Sequence, residues 1–122
     1  MPHLVLEYSA NIVEGENLFE LFKKCHVLLM EILPTDIESC KSRAIKYNEY
    51  YIGNGDLNNA FVHVDIKIMP GRDLIKLKNV SCQILDILKE YFIFSAKELN
   101  LQITVEVTEL EETYLKFISK IK

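Results

Sequence analysis

Apolar and polar positions follow patterns along the chain that predict strands and helices in alternation. Residues 3–8 form a mostly apolar run, which is typical of a buried strand. Residues 61–69 and 101–108 alternate apolar with polar side chains, as strands with one buried face do. Two other stretches repeat apolar residues every three or four positions, which predicts amphipathic helices. Their apolar positions are Leu18, Leu21, Phe22, Cys25, Leu28, Leu29 and Ile32 in the first, and Leu74, Leu77, Ile84, Leu85, Leu88, Tyr91 and Phe92 in the second.

Turn-forming residues mark where these elements begin and end. Asn17, followed three residues later by Glu20, resembles a capping box and predicts that the first helix begins there. Pro34 ends that helix, because proline cannot continue the hydrogen-bond ladder. Asp73 follows a Pro-Gly-Arg turn and is the predicted N-cap of the second helix. The strongest turn cluster, at residues 53–59, divides the chain into two halves.

The two halves share one order of elements. Residues from about 40 to 52 are interpreted as an extended segment, so the halves at about 1–55 and 56–108 each contain strand, helix and strand. Helical crossovers make their flanking strands parallel, and right-handed crossovers place both helices on one face of the sheet. The sequence therefore predicts a single α/β domain over residues 1–122, with two βαβ units forming a four-stranded mixed sheet. The tail, residues 109–122, either packs as a short helix or reaches a neighbouring subunit.

Charge and hydropathy narrow the range of partners and locations. A net charge of -4 argues against nucleic acid as a partner. The chain has no apolar run long enough to cross a membrane and no secretion signal, so we expect no membrane partner and a cytoplasmic protein. We expect the uncovered sheet face to be apolar and the edge strands to leave backbone groups unpaired, which predicts a homo-oligomer.

Cysteine and histidine positions favour structural roles. The cysteines are odd in number and far apart, so we expect reduced packing residues at Cys25, Cys40 and Cys82. The three histidines lack the spacing of metal ligands, and no metal is expected.

Pro2 is the candidate catalytic residue. If Met1 is removed, Pro2 carries a free secondary amine, whose pKa of about 7.7 to 8 would be lowered by burial or by nearby cations. Such an amine is a base near neutrality. Arg43 and Arg72 are the arginines of the chain, and Arg72 precedes a helix start, where a carboxylate would bind well. The alternatives are a Met-Pro start without a catalytic role and a solvated turn arginine.

Several separate motifs resemble one family. Over roughly residues 1–108 the chain resembles the 5-carboxymethyl-2-hydroxymuconate isomerases of the tautomerase superfamily. The motifs that carry the resemblance are Met1–Ile12, Ser42-Arg43, Ala60–Val64, Lys67-Ile68 and Gly71-Arg72.

The resemblance implies a fold, an assembly and a reaction. It implies a tautomerase-like subunit in a homotrimer, with Pro2 in a pocket at each subunit boundary. It implies an isomerase of aromatic catabolism that needs no cofactor, in which Pro2 moves a proton within a carboxylated dienol such as 5-carboxymethyl-2-hydroxymuconate. Arg43 and Arg72, with Lys41 where the family has arginine, would bind the anionic enol substrate.

Two alternatives to this function stay open from the residues. A relative could act on another enol or on an unsaturated acid. A protein of two βαβ units could also be a noncatalytic ligand-binding or assembly module, since a fold does not by itself fix a function.

Overall fold

The computed structural model describes residues 2–121, and its elements alternate as the sequence predicts. The four strands are β1 (His3–Ser9), β2 (Lys41–Tyr47), β3 (Asn59–Ile68) and β4 (Asn100–Glu109). The helices are α1 (Phe19–Ile32), α2 (Leu74–Tyr91) and the short α3 (Ile93–Glu98), and a single 3-10 turn (Ile37–Ser39) precedes β2. The extended segment is shorter than predicted, because the chain turns after Tyr47.

The starts of the two long helices differ in how they are capped. The Asp73 carboxylate accepts a hydrogen bond from the Lys76 N–H at 2.8 Å, which confirms the predicted N-cap of α2. Asn17 instead accepts from the Phe19 N–H, two residues on, at 3.1 Å, and Leu18 is the N-cap of α1. The predicted capping box is therefore wrong, and the Asn17 bond belongs to a local turn before the helix.

The sheet has the strand order β2-β1-β3-β4. Each βαβ unit contributes one parallel pair, β1 with β2 and β3 with β4, and the two units join through the antiparallel pair of β1 and β3. This confirms the predicted mixed sheet of two βαβ units. The helices pack on one face over a single apolar core, whose fully buried members include Leu4, Leu6, Leu21, Leu29, Val62, Val64, Ile66, Ile84, Leu88 and Phe92.

The face of the sheet away from the helices is mainly polar, so the prediction that it would be apolar is wrong. Strand residues that alternate with the core positions lie on this open face, and the strand register places them side by side. The polar and charged members of the open face are His3, Glu7, Lys41, Arg43, Tyr47, His63, Asp65, Lys67, Gln102, Thr104, Glu106 and Thr108. The same alternation that fills the core with valine, leucine and isoleucine leaves these side chains outside.

The tail beyond Glu109 has no regular secondary structure up to residue 121, so the short-helix alternative is wrong. Its first residue, Leu110, donates its N–H to the Ile68 carbonyl oxygen at 2.7 Å and extends the pairing of β3 with β4 by one hydrogen bond. Leu115 and Phe117 further along are about nine-tenths exposed. Contact of the tail with a neighbouring subunit stays a prediction.

The cysteines occupy two kinds of environment. Cys25 and Cys40 are free and buried, as predicted, but Cys82 is exposed on α2, and the packing prediction is wrong there. Within residues 2–121, no helix is at once long and apolar enough to cross a membrane.

Candidate active site

Pro2 is buried directly before β1, at the end of the sheet where three strands meet. Its carbonyl oxygen accepts a hydrogen bond from the Lys41 N–H at 3.0 Å, which joins the start of β1 to the start of β2. Because β3 runs antiparallel to β1, its last residues lie at the same end, with Lys67 opposite His3. Met1, whose removal would free the Pro2 amine, lies outside the described residues.

Three cationic side chains surround the first residue of β1. Lys41 and Lys67 lie opposite His3 on its two neighbouring strands, and Arg43 is two residues further along β2. We call these three residues the cation cluster. The Arg43 Nη1 lies 3.3 Å from the His3 Nδ1. Partial burial, and then the charges of Lys41 and Arg43, lower the pKa of His3, so this end of the open face disfavours a further cation and favours an anion.

The tail covers one side of this cluster. The Tyr114 hydroxyl lies 3.0 Å from the His3 Nε2, and the two rings meet edge to face with centroids 5.7 Å apart. A groove of about 360 Å³ lies between the tail and the ends of β3 and β4, and both Lys67 and Tyr114 line it. The other residues that line it are Thr108, Glu109, Leu110, Glu111 and Thr113.

Arg72 lies in a different groove at the same end of the sheet. Its Nη1 donates to the Met69 carbonyl oxygen and its Nη2 to the Leu33 carbonyl oxygen, both at 3.0 Å. These bonds join the turn after β3 to the end of α1. The groove has a volume of about 380 Å³ and also includes Lys76. The structure thus joins Pro2 to Lys41 through a backbone bond and Arg43 to His3 through their side chains, while Arg72 faces a separate groove with part of its guanidinium bonded to backbone carbonyl oxygens.

Sequence reasoning missed three members of this region, namely His3, Lys67 and Tyr114. Histidines were considered only as metal ligands. Lys67 appeared only as a polar position in an alternating strand, and its place opposite His3 depends on the register of β1 with β3. Tyr114 is 111 residues from its partner, and no periodic signal links the two.

Comparison with known proteins identifies the family. The model of the family described as 5-carboxymethyl-2-hydroxymuconate isomerase matches residues 2–119. The chain belongs to the 5-carboxymethyl-2-hydroxymuconate isomerase family. Membership makes the protein an isomerase and confirms the resemblance seen in the sequence motifs.

Individual members and structural relatives agree with this assignment. The chain is 27% identical over 113 residues to a 5-carboxymethyl-2-hydroxymuconate Delta-isomerase of Escherichia coli, an alignment that covers 93% of this chain and 90% of that protein. A crystal structure of a 5-carboxymethyl-2-hydroxymuconate isomerase from Deinococcus radiodurans R1 is 25% identical, with a TM-score of 0.86 over 98% of this chain and 90% of the other. A fused 4-OT described as a wild-type symmetric trimer has the same fold, with a TM-score of 0.73 at 12% identity over 98% of this chain and 94% of the other. These likenesses confirm the tautomerase-like fold.

Proposed function

We propose that this isomerase moves a proton within a carboxylated dienol such as 5-carboxymethyl-2-hydroxymuconate, with the N-terminal amine of Pro2 as general acid and base and with no cofactor. The observation that carries the proposal is the position of Pro2, which is buried at the start of β1, is bonded through its carbonyl oxygen to the Lys41 N–H, and directly precedes His3, the residue that the cation cluster surrounds. An amine placed there serves a substrate that is itself an anion.

The electrostatics support a neutral Pro2 amine. A free α-amine has a pKa of about 7.7 to 8, and burial and nearby positive charge both disfavour its ammonium form. The adjacent His3 has its pKa lowered by burial and by Lys41 and Arg43. Burial of Pro2 acts in the same direction on a free amine there, which favours the unprotonated base at neutral pH.

The proposed reaction is a proton transfer that leaves the formula of the substrate unchanged. The Pro2 nitrogen removes the hydroxyl proton of the dienol, and the resulting dienolate carries one more negative charge than the bound substrate. Lys41 and Arg43 bind a substrate carboxylate and stabilise that added charge, which a fixed cation does well away from bulk water. The prolinium then delivers that proton to a carbon of the dienolate, whose oxygen becomes the carbonyl oxygen of the conjugated ketone.

Arg72 is proposed to bind a second carboxylate in substrates of the same class. Two of its five N–H groups donate to the Met69 and Leu33 carbonyl oxygens, so donors remain for an anion in its groove. Lys76 lines the same groove and supplies a second positive charge.

We also propose a homotrimer that closes head to tail. The outer strand β2 carries Lys41, Arg43 and Lys46 and no acidic residue, whereas the outer strand β4 carries Glu106 and Glu109 and no basic residue. Opposite charges favour pairing β2 of one subunit with β4 of the next over pairing two like edges. Contacts of this kind form rings when the rotation closes. The trimeric 4-OT relative has the same subunit fold.

The proposed setting is the cytoplasm. Cys25, Cys40 and Cys82 are all free thiols, which is typical of proteins in a reducing compartment.

The test combines the intact mass of the protein with its rate of isomerisation. Intact mass spectrometry of the purified protein should show loss of Met1, which leaves the Pro2 amine free. An ultraviolet assay on 5-carboxymethyl-2-hydroxymuconate should then show that Pro2→Ala, which replaces the secondary amine with a primary one, is slower than wild type. The wild-type chain with one extra uncleaved residue before Pro2 keeps every side chain but acylates the nitrogen, and it should be slower by about 10²- to 10⁴-fold, the usual contribution of a general acid or base. A wild-type rate in the acylated chain would exclude catalysis by the Pro2 amine.

Substrate choice within the class is a separate question, because the resemblance implies an arginine at the position of Lys41. Lysine offers a point charge, whereas arginine offers a planar pair of donors. A panel of phenylpyruvate, unsaturated acids and 5-carboxymethyl-2-hydroxymuconate, compared in wild type and Lys41→Arg, ranks the candidates. A noncatalytic module would turn over none of them.

A further inference from the structure

We infer that Tyr114 and His3 are positioning residues, which hold the Arg43 guanidinium in place for a substrate carboxylate through the hydrogen-bonded chain Tyr114–His3–Arg43. The inference rests on the proposed function in taking Arg43 as the carboxylate ligand. It adds a residue of the tail and a defined histidine tautomer to the site.

The donor and acceptor roles in this chain follow from chemistry. A guanidinium can only donate, so at the 3.3 Å contact the His3 Nδ1 is the acceptor and carries no proton. A neutral imidazole has one N–H, which must then be on Nε2, where it donates to the Tyr114 hydroxyl oxygen at 3.0 Å. The lowered pKa of His3 agrees with a neutral ring. The Tyr114 hydroxyl proton is left free to donate elsewhere.

This chain of contacts restrains a side chain that would otherwise be mobile. Arg43 is exposed on the outer strand β2, and a long exposed side chain samples many rotamers. The imidazole meets the guanidinium on one side, and Tyr114 fixes the ring from the other through its hydrogen bond and its edge-to-face contact. A preorganised cation binds an anion better than one that must be ordered on binding.

The tail is itself held in the position that this role needs. The Leu110 N–H donates to the Ile68 carbonyl oxygen at 2.7 Å, and the Tyr114 N–H donates to the Glu111 carbonyl oxygen at 3.0 Å. These two bonds carry the chain from the end of β4 back over the first residue of β1. Tyr114 and Lys67 consequently line one groove beside the cation cluster.

The first experiment compares a charged with a neutral substrate. Tyr114→Phe keeps the ring and removes the hydroxyl, and we expect about a 2- to 10-fold loss of kcat/KM on the carboxylated dienol, mainly in KM, as for loss of one hydrogen bond. The second substrate is the dienol with the carboxylate that Arg43 binds converted to its methyl ester. On this ester, the kcat/KM of Tyr114→Phe should equal that of wild type. A purely structural role would lower both rates equally and would overturn the inference. Tyr50→Phe is the matched control and should change neither rate, because Tyr50 lies beyond the other end of β2.

A double-mutant cycle tests whether the effect passes through Arg43. Arg43→Gln should lose most of the preference for acid over ester, and adding Tyr114→Phe to it should change the kcat/KM by less than about 1.5-fold, because coupled residues are not additive. Independent, multiplying losses would contradict the inference.

Two further measurements do not depend on turnover. Nitrogen-15 NMR of the imidazole, assigned with His3→Gln, should show Nε2 protonated and Nδ1 unprotonated at pH 7.5; protonated Nδ1 would overturn the proposed chain. Titration with cis,cis-muconate, a dicarboxylate probe, should show weaker binding to Tyr114→Phe than to wild type. If both results hold while no dienol is turned over, the isomerase proposal fails and the anion-positioning role stands. If turnover depends on Pro2 but Tyr114→Phe affects acid and ester alike, the isomerase proposal stands and the positioning role of Tyr114 fails.

Discussion

At the scale of single residues, His3 links the protonation of the site to the stability of the fold. Burial, and then Lys41 and Arg43, lower its pKa in the native state below the ordinary 6.5. Below pH 6.5 the unfolded chain therefore binds a proton at this residue that the native chain does not, and the free energy of unfolding falls as the pH falls. The loss ends once the pH is below the native pKa.

The prediction is a urea midpoint that decreases between pH 7.5 and pH 5, by a smaller amount in His3→Gln than in wild type. The comparison with His3→Gln is needed because burial also lowers the pKa of His26, which contributes in the same direction. A decrease of the same size in both proteins would show that His3 is not responsible. Urea melts followed by circular dichroism provide the midpoints.

Thiol reactivity tests the environments of the three cysteines. Burial raises the pKa of Cys25 to about 12 and also raises that of Cys40, so both remain thiols at pH 8, whereas Cys82 is exposed. Ellman's reagent should modify one thiol per native chain quickly and three in urea. Fast reaction of Cys82→Ser would contradict this assignment.

At the scale of elements, the start of α2 depends on one side chain. Asp73 accepts the Lys76 N–H, and loss of such a cap lowers the free energy of unfolding by about 1 kcal/mol. Asp73→Ala should show this loss in urea denaturation. Asp86→Ala, at an exposed position within the same helix, removes the same charge without a cap and should change stability by less than about 0.5 kcal/mol. Equal losses in the two variants would point to charge and not to capping.

Strands and long helices were predictable because the spacing of their apolar residues follows from which side chains are buried. The alternation at residues 61–69 located β3 to within two residues of Asn59–Ile68, since every second side chain enters the core. Helix starts were less predictable, because Asn17 can bond to the N–H two or three residues on and the sequence does not distinguish these. The same alternation also places polar residues on the open face. The expectation of an apolar face did not take these residues into account.

The candidate site was predictable only in part, for a physical reason. Pro2 and Lys41 are neighbours because two parallel strands begin side by side, and that follows from the βαβ order. Lys67 requires the register of an antiparallel pair, which alternation alone leaves free by steps of two residues. Tyr114 belongs to an irregular tail, and no local rule brings such a segment back to residue 3.

At the scale of the whole molecule, the chain is proposed to fold as a single domain. The β1 strand of the first half lies between β2 and the β3 strand of the second half, so the halves share one sheet. One core beneath that sheet contains residues of both halves. A domain of this kind is expected to unfold in one cooperative transition.

Assembly is the clearest prediction at this scale. Native mass spectrometry should give three times the 14.2 kDa of one chain, less the removed methionines. Arg43→Glu on the β2 edge and Glu106→Lys on the β4 edge, which both lie on the open face, should each raise the trimer dissociation constant, because each makes the facing edges repel. An equimolar mixture of the two variants should regain assembled species that neither variant forms alone. Unchanged assembly in both would show that edge charge does not direct the contact.

The opposite charges of the β2 and β4 edges also bear on solubility. A subunit with two complementary edges resembles a monomer of a polymer, and each added copy presents the same edges again. Growth stops only where the last edge reaches the first, so the angle between adjacent copies separates a closed particle from a filament. Changes to the β2 or β4 edge that alter this angle are therefore the ones that would produce fibres from a chain that still folds correctly.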